Sequence, residues 1–153
     1  MAAMGINHVT IVACDLDESE RFYVELVGAE RVDTPNLGTP VRWLRVGDVQ
    51  IHLLQNGSRG GGAGHFGITV DEIVSVYERA RALGAFDSTV NGHYFWELPD
   101  GVVQLYVRDP SGNLVEVNAR VTGSLPESVR PNLRSWVAAL PQSEENLRAR
   151  LLT

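Results

Sequence analysis

Gly5-Ile6-Asn7-His8-Val9-Thr10-Ile11-Val12 is matched later in the chain by Gly64-His65-Phe66-Gly67-Ile68-Thr69-Val70. Each is a short β-prone run with a histidine near its start, and each leads into an amphipathic helical pattern that stops at glycine. In the first, Asp17-Glu18-Ser19-Glu20 offers an N-cap, and Phe22, Tyr23, Leu26 and Val27 follow at helical spacing up to Gly28. In the second, Asp71 offers the cap, and Ile73, Val76, Tyr77, Ala80 and Leu83 run to Gly84. Gly28 lies 20 positions after His8 and Gly84 lies 19 after His65, a near-equality that two unrelated helices need not show. The spacing predicts an internal duplication.

Both halves then end in a hairpin. Val41 to Val46 and Val49 to Leu54 flank a Gly47-Asp48 turn, and Val102 to Arg108 and Leu114 to Asn118 flank Asp109-Pro110-Ser111-Gly112-Asn113. The expected organisation is a first module over 4–56, a glycine-rich flexible linker over 57–64, a second module over 65–120 and a helical tail over 121–153. The linker lacks the Lys-Ser/Thr ending of a phosphate loop and precedes a strand, so phosphate binding is not expected there. The tail carries Leu133, Trp136, Val137 and Leu140 on one helical face between Pro131 and Pro141, then a helix capped by Ser143. It closes one mouth of the fold or packs on a second subunit.

At 153 residues with 44% hydrophobic content, the chain is ordinary for a small globular protein. Its formal charge of −6 argues against nucleic acid, whose binding rests on a basic patch. The N-terminal run has no basic start and carries Asn7, His8 and Thr10, which fits neither a signal peptide nor a membrane span; a cytoplasmic location is expected. The single cysteine, Cys14, reads as a small buried hydrophobe.

His8 and His65 occupy the same place in the two repeats. His52 and Glu116 also correspond, in Gln50-Ile51-His52-Leu53-Leu54 and Leu114-Val115-Glu116-Val117-Asn118. Strand alternation sets Gln50, His52 and Leu54 on one face and turns Glu116 away from Val115 and Val117. A lone strand histidine is usually a satisfied core or surface residue, and a lone glutamate beside a hairpin is usually solvated. Here four ligand-type residues fall at two pairs of equivalent positions, which a pseudo-twofold fold would bring to one point. Three imidazoles and a carboxylate suit one borderline divalent ion, Fe2+, Ni2+, Mn2+, Co2+ or Zn2+, better than magnesium or calcium.

With Tyr106-Val107-Arg108-Asp109-Pro110-Ser111-Gly112-Asn113-Leu114-Val115-Glu116, these residues resemble the vicinal oxygen chelate superfamily over roughly residues 4 to 120. That superfamily includes glyoxalase I, fosfomycin-resistance transferases, bleomycin-binding proteins and extradiol dioxygenases. The resemblance implies an α+β fold of two βαβββ modules forming a cupped, open β-barrel around one metal. It implies a small substrate chelating through vicinal oxygens, and a homodimer is expected. Glyoxalase-like lyase or isomerase chemistry is the first expectation, with Glu116 moving a proton and Tyr106 and His93 as candidate substrate contacts. Two alternatives stay open. One is an extradiol ring-cleaving dioxygenase, for which Leu105-Tyr106-x-x-Asp109-Pro110-x-Gly112-x-x-x-Glu116 is similar to the end of the signature. The other is a resistance protein that modifies fosfomycin or sequesters bleomycin. In glyoxalase I the position of His52 is usually a glutamate, so His52 bears on the choice.

Overall fold

Two residues, Gly47 and Asp48, separate strands Val41–Val46 (β3) and Val49–Gln55 (β4), and Gly47 takes the positive φ of 57° that this turn needs. The turn fixes the register from Val46↔Val49 through Trp43↔His52 to Val41↔Leu54. His8–Ala13 (β1) lies parallel to β4 with Thr10 opposite His52, and the short Glu30–Val32 (β2) closes the other edge. The computed structural model describes residues 3–153 and shows a mixed α+β fold.

Helix Leu16–Val27 (α1) packs against β3 and β4. Its cap is Asp15, two residues before the expected start, because the Asp15 carboxylate accepts from the Glu18 backbone N–H at 2.8 Å. Gly28, at φ 70°, ends it.

The second half repeats this text. His65–Thr69 (β5), helix Ile73–Ala82 (α2), Phe95–Glu97 (β6), Val102–Arg108 (β7) and Leu114–Arg120 (β8) follow in the order of their counterparts. The sheets run β1-β4-β3-β2 and β5-β8-β7-β6, which is one βαβββ pattern twice. Glu72 caps α2 in place of Asp71, its carboxylate accepting from the backbone of Val74 and Ser75.

The chain divides into two compact units: residues up to Phe66 with Arg108–Leu114, and Gly67–Val107 with Val115–Thr153. Within the first unit the Asp109–Asn113 turn is a clasp. The Asp109 carboxylate accepts from the backbone of Ser111 at 3.0 Å and Asn113 at 2.8 Å, and from the buried Tyr23 hydroxyl at 2.9 Å. Ser111 Oγ receives the Cys14 N–H at 2.8 Å, and Asn113 donates to the Val12 carbonyl at 2.8 Å. Gly60 is pinned here too, its N–H 2.8 Å from the Ser111 carbonyl; a Cβ on it would stand 2.4 Å from Asn113 Oδ1. The glycine-rich stretch therefore contains a packed position, where a flexible link alone was expected. Cys14 is half-buried, and its thiol donates to the Ser58 carbonyl.

The tail differs from the expected helix. After a 3-10 turn at Arg130–Asn132, Arg134–Ser135 (β9) adds a strand parallel to β6 at the edge of the second sheet. Only Trp136–Ala139 (α3) and Glu144–Arg148 (α4) are helical, the latter with the Ser143 capping box. Trp136 stacks on Trp96 with centroids 3.9 Å apart, so strand pairing and an aromatic contact override helical periodicity. No helix among the described residues is long and apolar enough to cross a membrane.

Candidate metal centre

On β4 the pleat sends Ile51 and Leu53 into the core and leaves Gln50 and His52 half-buried on the other face. There the hairpin register places Trp43 against His52, with ring centroids 4.3 Å apart and planes 6° from parallel. His8, from β1, covers the opposite side of His52 at 4.3 Å and 15°. His52 is thus the middle ring of three. Burial, and then the proximity of His8, hold its pKa below the ordinary imidazole value, favouring the neutral form that a metal ligand needs. Its Nε2 is 2.9 Å from Gln50 Oε1, and His8 Nδ1 is 2.7 Å from Asn7 Oδ1. The rings border an open cleft of about 640 Å³ that Arg45 and Gln50 also line. The buried indole Nε1 of Trp43 has no hydrogen-bond partner among the described residues, a state that costs about 1–3 kcal/mol for a desolvated donor.

His65 begins β5, is exposed, and places Nδ1 3.1 Å from the Ala63 carbonyl. A carbonyl only accepts, so Nδ1 carries the proton in the neutral ring and Nε2 has the lone pair. Metal-bound histidines commonly fix their tautomer in this way.

In the second unit Glu116 is 5% exposed. Neutral donors reach its carboxylate, among them Gln104 Nε2 at 2.8 Å and Tyr106 hydroxyl at 2.9 Å on Oε2, and Asn118 Nδ2 at 3.0 Å on Oε1. Burial and the facing Glu116 charge both push the Tyr106 phenol up, so it stays a protonated donor. His93 is engaged with the tail, Nε2 lying 2.6 Å from the Asn132 carbonyl. The structure therefore brings Tyr106 to Glu116 and His52 to His8. Among the described residues no three of His, Cys, Asp and Glu form a ready metal cluster.

Sequence reasoning missed Trp43, Gln104 and Asn118. For Trp43 the signal was present: counting back from the two-residue Gly47-Asp48 turn sets it opposite His52. For Gln104 and Asn118 only the packed strands show the bonds.

The model of the Glyoxalase/Bleomycin resistance protein/Dioxygenase superfamily matches residues 5–117, and the chain belongs to that superfamily. Among solved structures it is similar to a glyoxalase family protein from Bacillus anthracis, at 22% identity and TM-score 0.62, covering 79% of this chain and 98% of that one. It is also similar to lactoylglutathione lyase from Agrobacterium tumefaciens, at 26% identity and TM-score 0.57, covering 78% and 96%. A genomically encoded fosfomycin resistance protein from Listeria monocytogenes aligns at 20% identity and TM-score 0.61, covering 78% and 94%. No curated protein matches the sequence.

Proposed function

We propose that this protein is a metal-dependent enzyme of glyoxalase-like lyase or isomerase type, with His8, His52, His65 and Glu116 holding one divalent cation. The observation that carries the reading is Glu116, a carboxylate buried in mid-sheet at the strand position that its repeat gives to His52. A buried carboxylate needs compensation, and a cation supplies more of it than a neutral donor does. The imidazoles and the carboxylate fit a borderline metal, and the tautomer set by Ala63 at His65 suits ligation. The likeness to lactoylglutathione lyase supports the same class.

When bound, such a cation supplies Lewis acidity to two neighbouring substrate oxygens. Glu116 is then the group that takes and returns a substrate proton at a carboxylate oxygen. Tyr106, which donates to Oε2 at 2.9 Å, holds that oxygen in place. The cleft beside Trp43 and Arg45 admits a small substrate, and a homodimeric cytoplasmic enzyme is the expected setting.

One observation favours a second reading. His52 is held between two rings and by Gln50, and if it stays there, His8, His65 and Glu116 form the two-histidine, one-carboxylate set of iron(II) oxygenases. Reconstitution of apoprotein with Fe2+, Ni2+, Mn2+, Co2+ or Zn2+, followed by assay on methylglyoxal–thiol adducts, catechols and fosfomycin, tests both. Turnover of the thiol adduct without oxygen uptake supports the lyase or isomerase. Oxygen uptake on a catechol supports the dioxygenase, and purification free of metal with no turnover overturns both.

A further inference from the structure

We infer that Thr69 and Asn118 are positioning residues that aim the Glu116 carboxylate, and that Gly67 is a glycine because it makes room for this relay. The inference rests on Glu116 acting as a metal ligand, and all four residues lie in the second unit. Asn118, 4% exposed, bridges two strands: its Nδ2 donates to Glu116 Oε1 at 3.0 Å, and its Oδ1 is 2.8 Å from Thr69 Oγ1. The carboxylate can only accept, so the amide must turn its NH2 toward Glu116. Its oxygen then faces Thr69, whose hydroxyl must donate. The threonine proton holds the amide oxygen in that orientation, and the amide in turn holds Oε1.

Gly67 explains how the amide fits. It sits inside β5 with no positive φ, so its backbone does not call for glycine, and glycine in a strand interior weakens the strand. A Cβ there would stand 3.3 Å from Asn118 Nδ2 and 4.0 Å from Glu116 Oε1, forcing the amide to give by a few tenths of an ångström. In the first unit the matching place two residues after the histidine is Thr10, opposite His52. The second unit leaves that space empty where its carboxylate relay passes.

The test is titration of apoprotein with Zn2+ alone and with Co2+ alone, the latter read by its d–d absorption, alongside thermal melting. Thr69→Val should weaken cation affinity ~10–100-fold, the range for groups that orient ligands, and Thr69→Ser should restore it. Gly67→Ala should weaken affinity with little net change in the stability of the metal-free protein, the gain from alanine in an extended backbone offsetting the crowded amide. A packing role alone would move affinity and stability together. If Thr69→Val and Gly67→Ala bind within twofold of the parent while Glu116→Ala loses the metal, the relay is overturned and the ligand reading stands. If Glu116→Ala keeps the metal, the ligand reading fails and the relay falls with it. Should Thr69→Val fail to fold, Gly67→Ala on an exposed strand residue decides the question.

Discussion

At one repeat position the first unit carries an imidazole between two rings, and the second carries a carboxylate among hydrogen-bond donors. His52 is half-buried, and its aromatic neighbours favour the uncharged ring by desolvation. Glu116 is almost fully buried, so its charge depends on polar groups delivered by β7 and β8. A duplicated scaffold has kept the placement of a donor and changed the groups that surround it. Stacking tolerates solvent and lateral movement, whereas a buried carboxylate requires every donor to be in place.

The comparison breaks most visibly at Glu116. Glu116→Ala should reduce divalent-cation affinity by more than the ~10–100-fold of orienting groups. It should also destabilise the metal-free protein by about 1–3 kcal/mol, because the Gln104, Tyr106 and Asn118 donors lose their acceptor. Metal analysis and urea unfolding measure the two effects, and unchanged values for both would remove the distinction between the units.

Trp43→Ala should cost about 1–2 kcal/mol of stability through lost stacking and apolar area. It should also raise the His52 titration midpoint toward the ordinary ~6.5, because burial is the larger cause of its depression. Proton NMR of the His52 ring follows that midpoint, and no movement would mean that Trp43 does not provide the burial.

The metal-free protein should show the same effect as a pH dependence. The His52 pKa is depressed in the folded state, so its contribution is fully present above the unfolded value of ~6.5 and is lost as pH falls through the lower folded midpoint. Stability measured across that window should fall with acid, and less so in Trp43→Ala. Tyr106→Phe is the smallest change: one donor to Oε2 is lost, costing about 1 kcal/mol with a modest drop in cation affinity. Equal effects of Tyr106→Phe and Glu116→Ala on cation affinity would show that the phenol itself is at the reacting centre.

The legible part of the candidate site was the part written in periodicity. His8 with His65, and His52 with Glu116, emerge from comparing the halves, and the β3–β4 turn also contained the Trp43 pairing. Gln104 and Asn118 were illegible because a polar residue on a strand has no intrinsic signature of what it will face. Thr69 and Gly67 acquire meaning only beside Asn118.

The sequence by itself determined the duplication, both long hairpins and the helix stops at Gly28 and Gly84, because turn glycines and side-chain alternation are local constraints on the backbone. Short strands such as β2 and β6, three residues each, carry too little pattern to stand out. Tertiary structure alone decided that the Asp109–Asn113 turn clasps Tyr23, Cys14 and Gly60 of the first unit, and that the tail contributes β9 beside β6. The reason is physical: such contacts join residues far apart in sequence, and their energies exist only once the strands that carry them have paired.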